Sequence, residues 1–443
     1  MKDIRKIFKA YDVRGAYPDD LDEGIARRIG RATAVFLGCR NALVGHDMRR
    51  SGPALAGALI EGLREQGVDV TFIGQASSPL VYFAGKDHEC SVSVTASHNP
   101  PPDNGMKICA GGALPIGSAN GLLEIARLVE EDRFEAASRR GELSEDAPRE
   151  RFVEASLAAL HAERRFKVVV DAGNGMGGPD YAALAARDIP FEIVPLYFEP
   201  DDTFPHHEPN PLKFENLRDL QARVRETGAD LGIGLDGDAD RCFFVDERGE
   251  ILPADLVTAL VARDVLREKP GATILYDLRS SRVVREEIEK AGGRAVECRV
   301  GHAFIKKMLR DEGGVFAGEL SGHFYFEESS FAENTFLALF RVLNILDAEG
   351  KPLSELVAPL RRYHGSGEVN SRVEDVQAVL RELEARYADG EVSHLDGLKV
   401  SYPDWWFNVR PSNTEPVLRL VVEATTRELM ERKRDEILAI IRK

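Results

Sequence analysis

Four short stretches carry residue types that could do chemistry together. The first is TASHNPPPDNGMK, residues 95–107, in which Ser97 and His98 stand just before Asn99 and Pro100, with two more prolines and then Lys107 to follow. Proline fixes φ and cannot donate a backbone hydrogen bond, so this loop continues neither a strand nor a helix. A serine held on a stiff loop at the end of a strand is suited to act as a nucleophile or to carry a phosphoryl group. The plainer alternative is a polar turn with a structural histidine. The second stretch is DGDADR, with Asp236, Asp238 and Asp240 at a spacing of two and Arg241 after them. Small residues between the acids let three carboxylates turn onto one hard cation, Mg²⁺ or Ca²⁺. Without a cation they repel and raise one another's pKa. Glu247 stands where an EF-hand has its last ligand, but Arg241 occupies the position of that loop's glycine, and an apolar strand precedes it. The EF-hand reading therefore fails.

The third stretch is GELSGH, residues 318–323, where strand alternation would set Glu319, Ser321 and His323 on one side. A carboxylate and a hydroxyl on one face suit the recognition of neighbouring sugar hydroxyls. The fourth is RPSNTEP, residues 410–416, which gathers Arg410, Ser412, Asn413 and Thr414 in one tight loop. Guanidinium, hydroxyls, amide and exposed backbone N–H groups make a cradle for an anion. A fifth motif competes with these. DAGNGMGG satisfies G-x-G-x-x-G through Gly173, Gly175 and Gly178, after a strand and before a helix, with Glu192 downstream. Glu192 falls at the start of the next strand instead of its end, and Pro179 follows the last glycine, so a structural turn is favoured over a dinucleotide site.

The elements that must hold these loops read as three α/β units and a different tail. Strand-like and helical runs alternate through residues 1–145, 146–250 and 251–365, and each unit contains one of the loops. The polar stretch 131–150 reads as the first linker. From residue 366 to 443 the pattern changes to a helix, several strands and a final amphipathic helix. A chain of 443 residues suits several domains. Its 58 Lys and Arg against 74 Asp and Glu leave a net charge of −16, which argues against nucleic acid or an anionic membrane as partner. Five scattered cysteines without a C-x-x-C pair read as reduced thiols. No apolar leader or membrane-length run occurs, so a cytoplasmic protein is expected.

Taken in order, TASHNP, DGDADR, GELSGH and RPSNTEP, one per expected domain, resemble the α-D-phosphohexomutase superfamily along nearly the whole chain. KAYDVRG at residues 9–15 and GHDMRRSG at 45–52 fit it as well. GELSGH with RPSNTEP and GHAFIKK is similar to the bacterial phosphomannomutase/phosphoglucomutase branch. The glucosamine branch would carry glycine where Asn413 stands. The resemblance implies three similar mixed α/β domains and a smaller α+β, TATA-box-binding-protein-like C-terminal domain around a central cleft. It implies that Ser97 is phosphorylated, and that Mg²⁺ is held by Asp236, Asp238, Asp240 and a phosphoserine oxygen. It further implies catalytic roles for His98, Arg14, Lys107, Arg241 and His302. Hexose phosphates would be bound by Tyr11, Arg279, Glu319, Ser321, His323, Arg410, Ser412, Asn413 and Thr414. The implied reaction exchanges hexose 1- and 6-phosphates, mannose foremost and glucose also, through a hexose 1,6-bisphosphate, in a monomer or weak homodimer. Arg279 stands where many relatives carry lysine, and Glu333-Asn334 where an Asp-rich turn is expected. The readings that compete are a glucosamine-phosphate mutase, a sugar-phosphate binder without catalysis, and, from the glycine motif, a nucleotide-dependent oxidoreductase.

Overall fold

The computed structural model describes residues 4–411 and 417–443. Three mixed sheets with flanking helices follow one another along the chain, and an antiparallel sheet with two helices closes it. In the first sheet the parallel strands Asn41–His46, Asp69–Gln75 and Cys90–Val94 form the centre, and Asp103–Ala110 runs antiparallel beside Cys90–Val94. Those two neighbours are the arms of the Ser97 loop. Most of their buried Val, Ile, Met and Cys residues belong to the first unit's apolar core, and nearly every residue of both strands is buried. The stretch 131–150 is not wholly a linker, because Leu143–Glu145 adds a parallel edge strand beside Asp69–Gln75.

The second sheet orders Cys242–Asp246, Leu231–Leu235, Phe166–Asp171 and Phe191–Leu196. Leu231–Leu235 pairs antiparallel with Cys242–Asp246, and residues 236–241 are the turn between them. The third sheet places Thr273–Asp277 between Arg294–Cys298 and Gly314–Gly318, with Phe324–Phe326 and Ala332–Glu333 beyond. A helix over Thr335–Glu349 is buried through most of its length, as its sequence FLALFRVLNIL demands, and joins the second and third cores into one apolar body. Asn334 caps that helix, its side chain accepting from the N–H groups of Phe336 and Leu337. The tail sheet is antiparallel, with Trp405–Pro411 and Leu418–Ala424 paired over seven residues and the helices Val376–Arg386 and Arg427–Ile441 packed on it. This four-part α/β architecture with an α+β end is the one the motif order implies. Among the described residues no helix is long and apolar enough to cross a membrane.

Candidate active site

Ser97 sits at the floor of a cleft, almost fully buried, with φ at +51°. A non-glycine residue in the left-handed region is sterically costly, so the surrounding contacts must hold it there. They do. The Ser97 amide donates to Thr95 Oγ1 at 2.9 Å, and Thr95 Oγ1 donates to Asp47 Oδ2 at 2.6 Å. Arg49, whose side chain is wholly buried, donates to the carbonyls of Ser97, Asn99, Pro100 and Asp103 at 2.7–2.9 Å. Arg14 adds donations to Ala96 O at 3.0 Å and Asn99 Oδ1 at 2.8 Å. The hydroxyl of Ser97 donates to Asp236 Oδ2 at 2.8 Å and lies 3.1 Å from His98 Nδ1.

The three aspartates of the second unit face that hydroxyl as one buried cluster, their oxygens within 4.8 Å of one another. Lys107 Nζ reaches Asp238 Oδ2 and Asp240 Oδ2, each at 2.5 Å. Burial pushes the Asp236 carboxyl well above the usual carboxylate range, and Asp240 and Asp238 reinforce it. Burial opposes ionisation at Asp240 too, yet Lys107 and His323 hold that carboxyl well below the usual range. Asp238 Oδ1 is buried without a hydrogen bond among the described residues, and Asp240 Oδ1 has only His323 Nε2 beside it at 3.3 Å. Unpaired carboxylate oxygens in a dry cluster are costly unless a cation takes them up. The donor set is all oxygen, which suits a hard divalent ion.

The cleft above measures about 860 Å³ and is lined by Tyr11, Arg14, His98, Arg241, Arg279, His302, Glu319, Ser321, His323 and Arg410. Every unit of the chain contributes to that lining, and Lys107 and the aspartates lie beneath it. Ser412, Asn413 and Thr414 lie outside the described residues. Glu319, Ser321 and His323 do come together, but by a tight turn and not by strand alternation. The strand ends at Gly318; the Glu319 N–H donates to His323 O, the Gly322 N–H to Glu319 O, and Gly322 takes φ +86°. His323 Nδ1 is then 2.9 Å from Glu319 Oε2 and 3.0 Å from Ser321 Oγ, while Arg241 Nε approaches Nε2 at 3.1 Å. Burial and Arg241 disfavour the imidazolium, but Asp240 and Glu319 outweigh them and push His323 up to about 9. His98 and His302 go the other way. Burial, reinforced by Arg241 at His98 and by Lys306 at His302, holds both well below the usual imidazole range.

At the cleft's far side Arg279 is locked to Asp277 through Nε at 3.1 Å and Nη2 at 2.8 Å. Arg279, Arg410 and Arg419 converge on Glu368, at 3.5, 2.9 and 2.9 Å. Sequence reading misses Glu368 and Arg419, and nothing local marks either. It also misses Arg49 as an anchor of the Ser97 loop, although GHDMRRSG reads as a turn. Glu333 has a structural task. It pairs with Lys306 at 2.5 Å, both fully buried, with the ammonium 3.7 Å from the centroid of the Tyr82 ring. The glycine motif is closed to a nucleotide, since a Cβ on Gly175 would lie 2.6 Å from the carbonyl oxygen of Gly237 in the aspartate loop.

A buried serine hydroxyl facing three aspartates at the floor of an arginine-lined cleft is equipped to carry and transfer a phosphoryl group. Family profiles agree domain by domain. Those described as phosphoglucomutase/phosphomannomutase alpha/beta/alpha domains I, II and III match residues 5–136, 150–249 and 253–363, and the C-terminal domain profile matches 368–440. A phosphomannomutase of Methanocaldococcus jannaschii is 39% identical over 99% of this chain and 98% of its own. The phosphohexose mutases of Xanthomonas campestris pv. campestris are 40% identical over 98% of this chain and 99% of theirs. The crystal structure of a phosphoglucomutase/phosphomannomutase family protein from Burkholderia thailandensis superposes with a TM-score of 0.91 at 34% identity, covering 99% of this chain and 97% of that one. The chain belongs to the phosphoglucomutase/phosphomannomutase family.

Proposed function

We propose that the chain interconverts mannose 1-phosphate and mannose 6-phosphate, accepting glucose phosphates as well, with Ser97 as the phosphoryl carrier and Mg²⁺ at Asp236, Asp238 and Asp240. The observation that carries this reading is the Ser97 hydroxyl itself: strained into place, pinned by Arg49, and 2.8 Å from Asp236 at the floor of a cation-lined cleft. Mg²⁺ supplies charge neutralisation on the transferring group when bound. The chain's own residues do the rest. Arg14 and Arg241 border the serine and face the charge that spreads over the phosphoryl oxygens in transfer.

In the forward step the P–O bond to Ser97 Oγ breaks as a bond forms to the free hydroxyl of the hexose monophosphate. That hydroxyl's proton passes to a base; His98 and His302 border the cleft unprotonated, each with a lone pair to accept it, and the burial and cations that keep them neutral also make them weak bases. The resulting 1,6-bisphosphate turns over, and its other phosphoryl group returns to Ser97. Arg279 and Arg410 meet whichever phosphate is not reacting, and Glu319 and Ser321 meet hydroxyls from either orientation. The cleft's volume lies in the upper part of the range for small-molecule pockets, about 300–1,000 Å³, leaving room for reorientation.

A phosphorus NMR time course tests the reading. With Mg²⁺ and a trace of hexose 1,6-bisphosphate, mannose 1-phosphate, glucose 1-phosphate and glucosamine 1-phosphate are followed separately. Growth of the 6-phosphate from mannose, with or without glucose, is expected. Conversion of the glucosamine compound alone would reassign the branch, and no conversion at all would leave a binding protein.

A further inference from the structure

Two adjacent serines, Ser77 and Ser78, stand outside every role assigned above. Both are fully buried at the start of the helix Ser78–Gly85 in the first unit. Each gives its hydroxyl proton to a buried aspartate of the second unit. Ser77 Oγ donates to Asp180 Oδ2 at 2.5 Å, and Ser78 Oγ to Asp238 Oδ2 at 2.5 Å. The Ser78 amide donates as well, to the Asp238 carbonyl oxygen at 3.0 Å. Asp238 is therefore held twice by one residue, at its backbone and at its carboxylate. Lys107 Nζ takes the same Oδ2 at 2.5 Å. One oxygen of this carboxylate is saturated, while Oδ1 is buried without a hydrogen bond among the described residues. A carboxylate tied through one oxygen presents the other in a fixed direction, and such outer partners set the orientation and affinity of metal ligands.

We propose that Ser78 is a positioning residue for the divalent cation: its hydroxyl and amide fix Asp238 so that Oδ1 faces the ion. Ser77 has a different task. Its partner Asp180 also binds Arg149 at 2.9 Å and is not one of the clustered aspartates, so the Ser77–Asp180 pair docks the first unit on the second without touching a metal ligand. The two hydroxyls, one residue apart, thus separate positioning from docking.

This inference rests on the reading of the aspartate cluster as a divalent-cation site. The full chain, stripped with EDTA, is titrated with Mg²⁺ by calorimetry, with thermal melts beside it. Ser78→Thr and Ser78→Val add the same bulk, so their strain cancels, and only threonine keeps the donor. Ser78→Val is expected to bind Mg²⁺ about 10- to 100-fold more weakly than Ser78→Thr, the range for losing an outer partner of a metal ligand. Ser77→Ala is expected to lower the melting temperature and keep wild-type Mg²⁺ affinity. Should the valine variant not fold, Ser78→Ala against wild type supplies the same comparison with only a small cavity. Equal Mg²⁺ affinity in the variants with and without the hydroxyl would overturn the proposal while leaving the metal site intact. Absence of Mg²⁺ binding by the wild-type chain would instead overturn the metal reading itself.

Discussion

Arg49 touches no ligand, yet the serine loop hangs on it. Methionine at this position keeps most of the side chain's bulk and removes every donor. Four carbonyls, those of Ser97, Asn99, Pro100 and Asp103, then lose the guanidinium, and the Asp47 carboxylate loses its cation while keeping the Thr95 hydroxyl and the backbone N–H of residue 49. Pro100 is exposed and Asn99 and Asp103 are partly so, and water can replace the guanidinium there. The buried Ser97 carbonyl has no such recourse, which costs about 1–3 kcal/mol. Breaking the buried ion pair with Asp47 costs about 3–5 kcal/mol more. Burial already pushes Asp47 up, so it can take a proton and soften that loss, which favours the low end of the sum, about 4 kcal/mol. At 1.4 kcal/mol per factor of ten, the loop's opening equilibrium shifts by roughly a thousandfold. Hydrogen exchange read by mass spectrometry should show that acceleration in peptides covering residues 95–105 and little change in the strand Leu231–Leu235. Phosphoryl transfer should fall with it, because the hydroxyl no longer keeps its place beside Asp236. Exchange within tenfold of wild type, with turnover unchanged, would refute the reasoning.

Three further outcomes follow from the geometry. In the metal-free chain His323 titrates at about 9 against about 6.5 unfolded, so its stabilising effect is full below pH 6.5 and disappears as pH rises through 9. Melts of wild type and His323→Gln should show the wild type losing about 3 kcal/mol relative to the variant across that window; parallel curves would contradict it. Gly237→Ala puts a Cβ 2.6 Å from the Ser97 carbonyl oxygen, so turnover should fall by about a hundredfold through displacement of the two loops, and wild-type turnover would show that they yield freely. Lys306→Met removes the cation paired with buried Glu333 and should lower stability by about 3–5 kcal/mol, measured by denaturant melts, whereas Lys306→Met with Glu333→Leu should recover most of it.

The parts of the site that lie on one continuous string are legible in the sequence alone. Ser97 and the aspartates sit in loops punctuated by proline and glycine, and chemistry of that kind is written locally. Glu319, Ser321 and His323 belong together, as their spacing suggests, but for a different reason: a turn with Gly322 at positive φ does what strand alternation was expected to do. What stays hidden depends on contacts far apart in sequence. Arg49 meets residues some fifty positions away, Ser78 meets Asp238 from another unit, and Glu368 gathers arginines from two. No local pattern marks such partners. The glycine motif shows the reverse hazard, because its spacing suits a dinucleotide while its actual neighbour is the backbone of Gly237. Glu333-Asn334 departs from the expected turn, and its residues prove to be a buried ion-pair partner and a helix cap.

The central claim is that the phosphoryl group travels by way of Ser97, and peptide mapping after exposure to hexose 1,6-bisphosphate and Mg²⁺ tests it most directly. One phosphate on Ser97 is expected in the wild type, discharged when excess hexose monophosphate is added. Ser97→Ala should carry none and lose turnover by orders of magnitude. Wild-type turnover in Ser97→Ala, or a phosphate that maps to another residue, would contradict it.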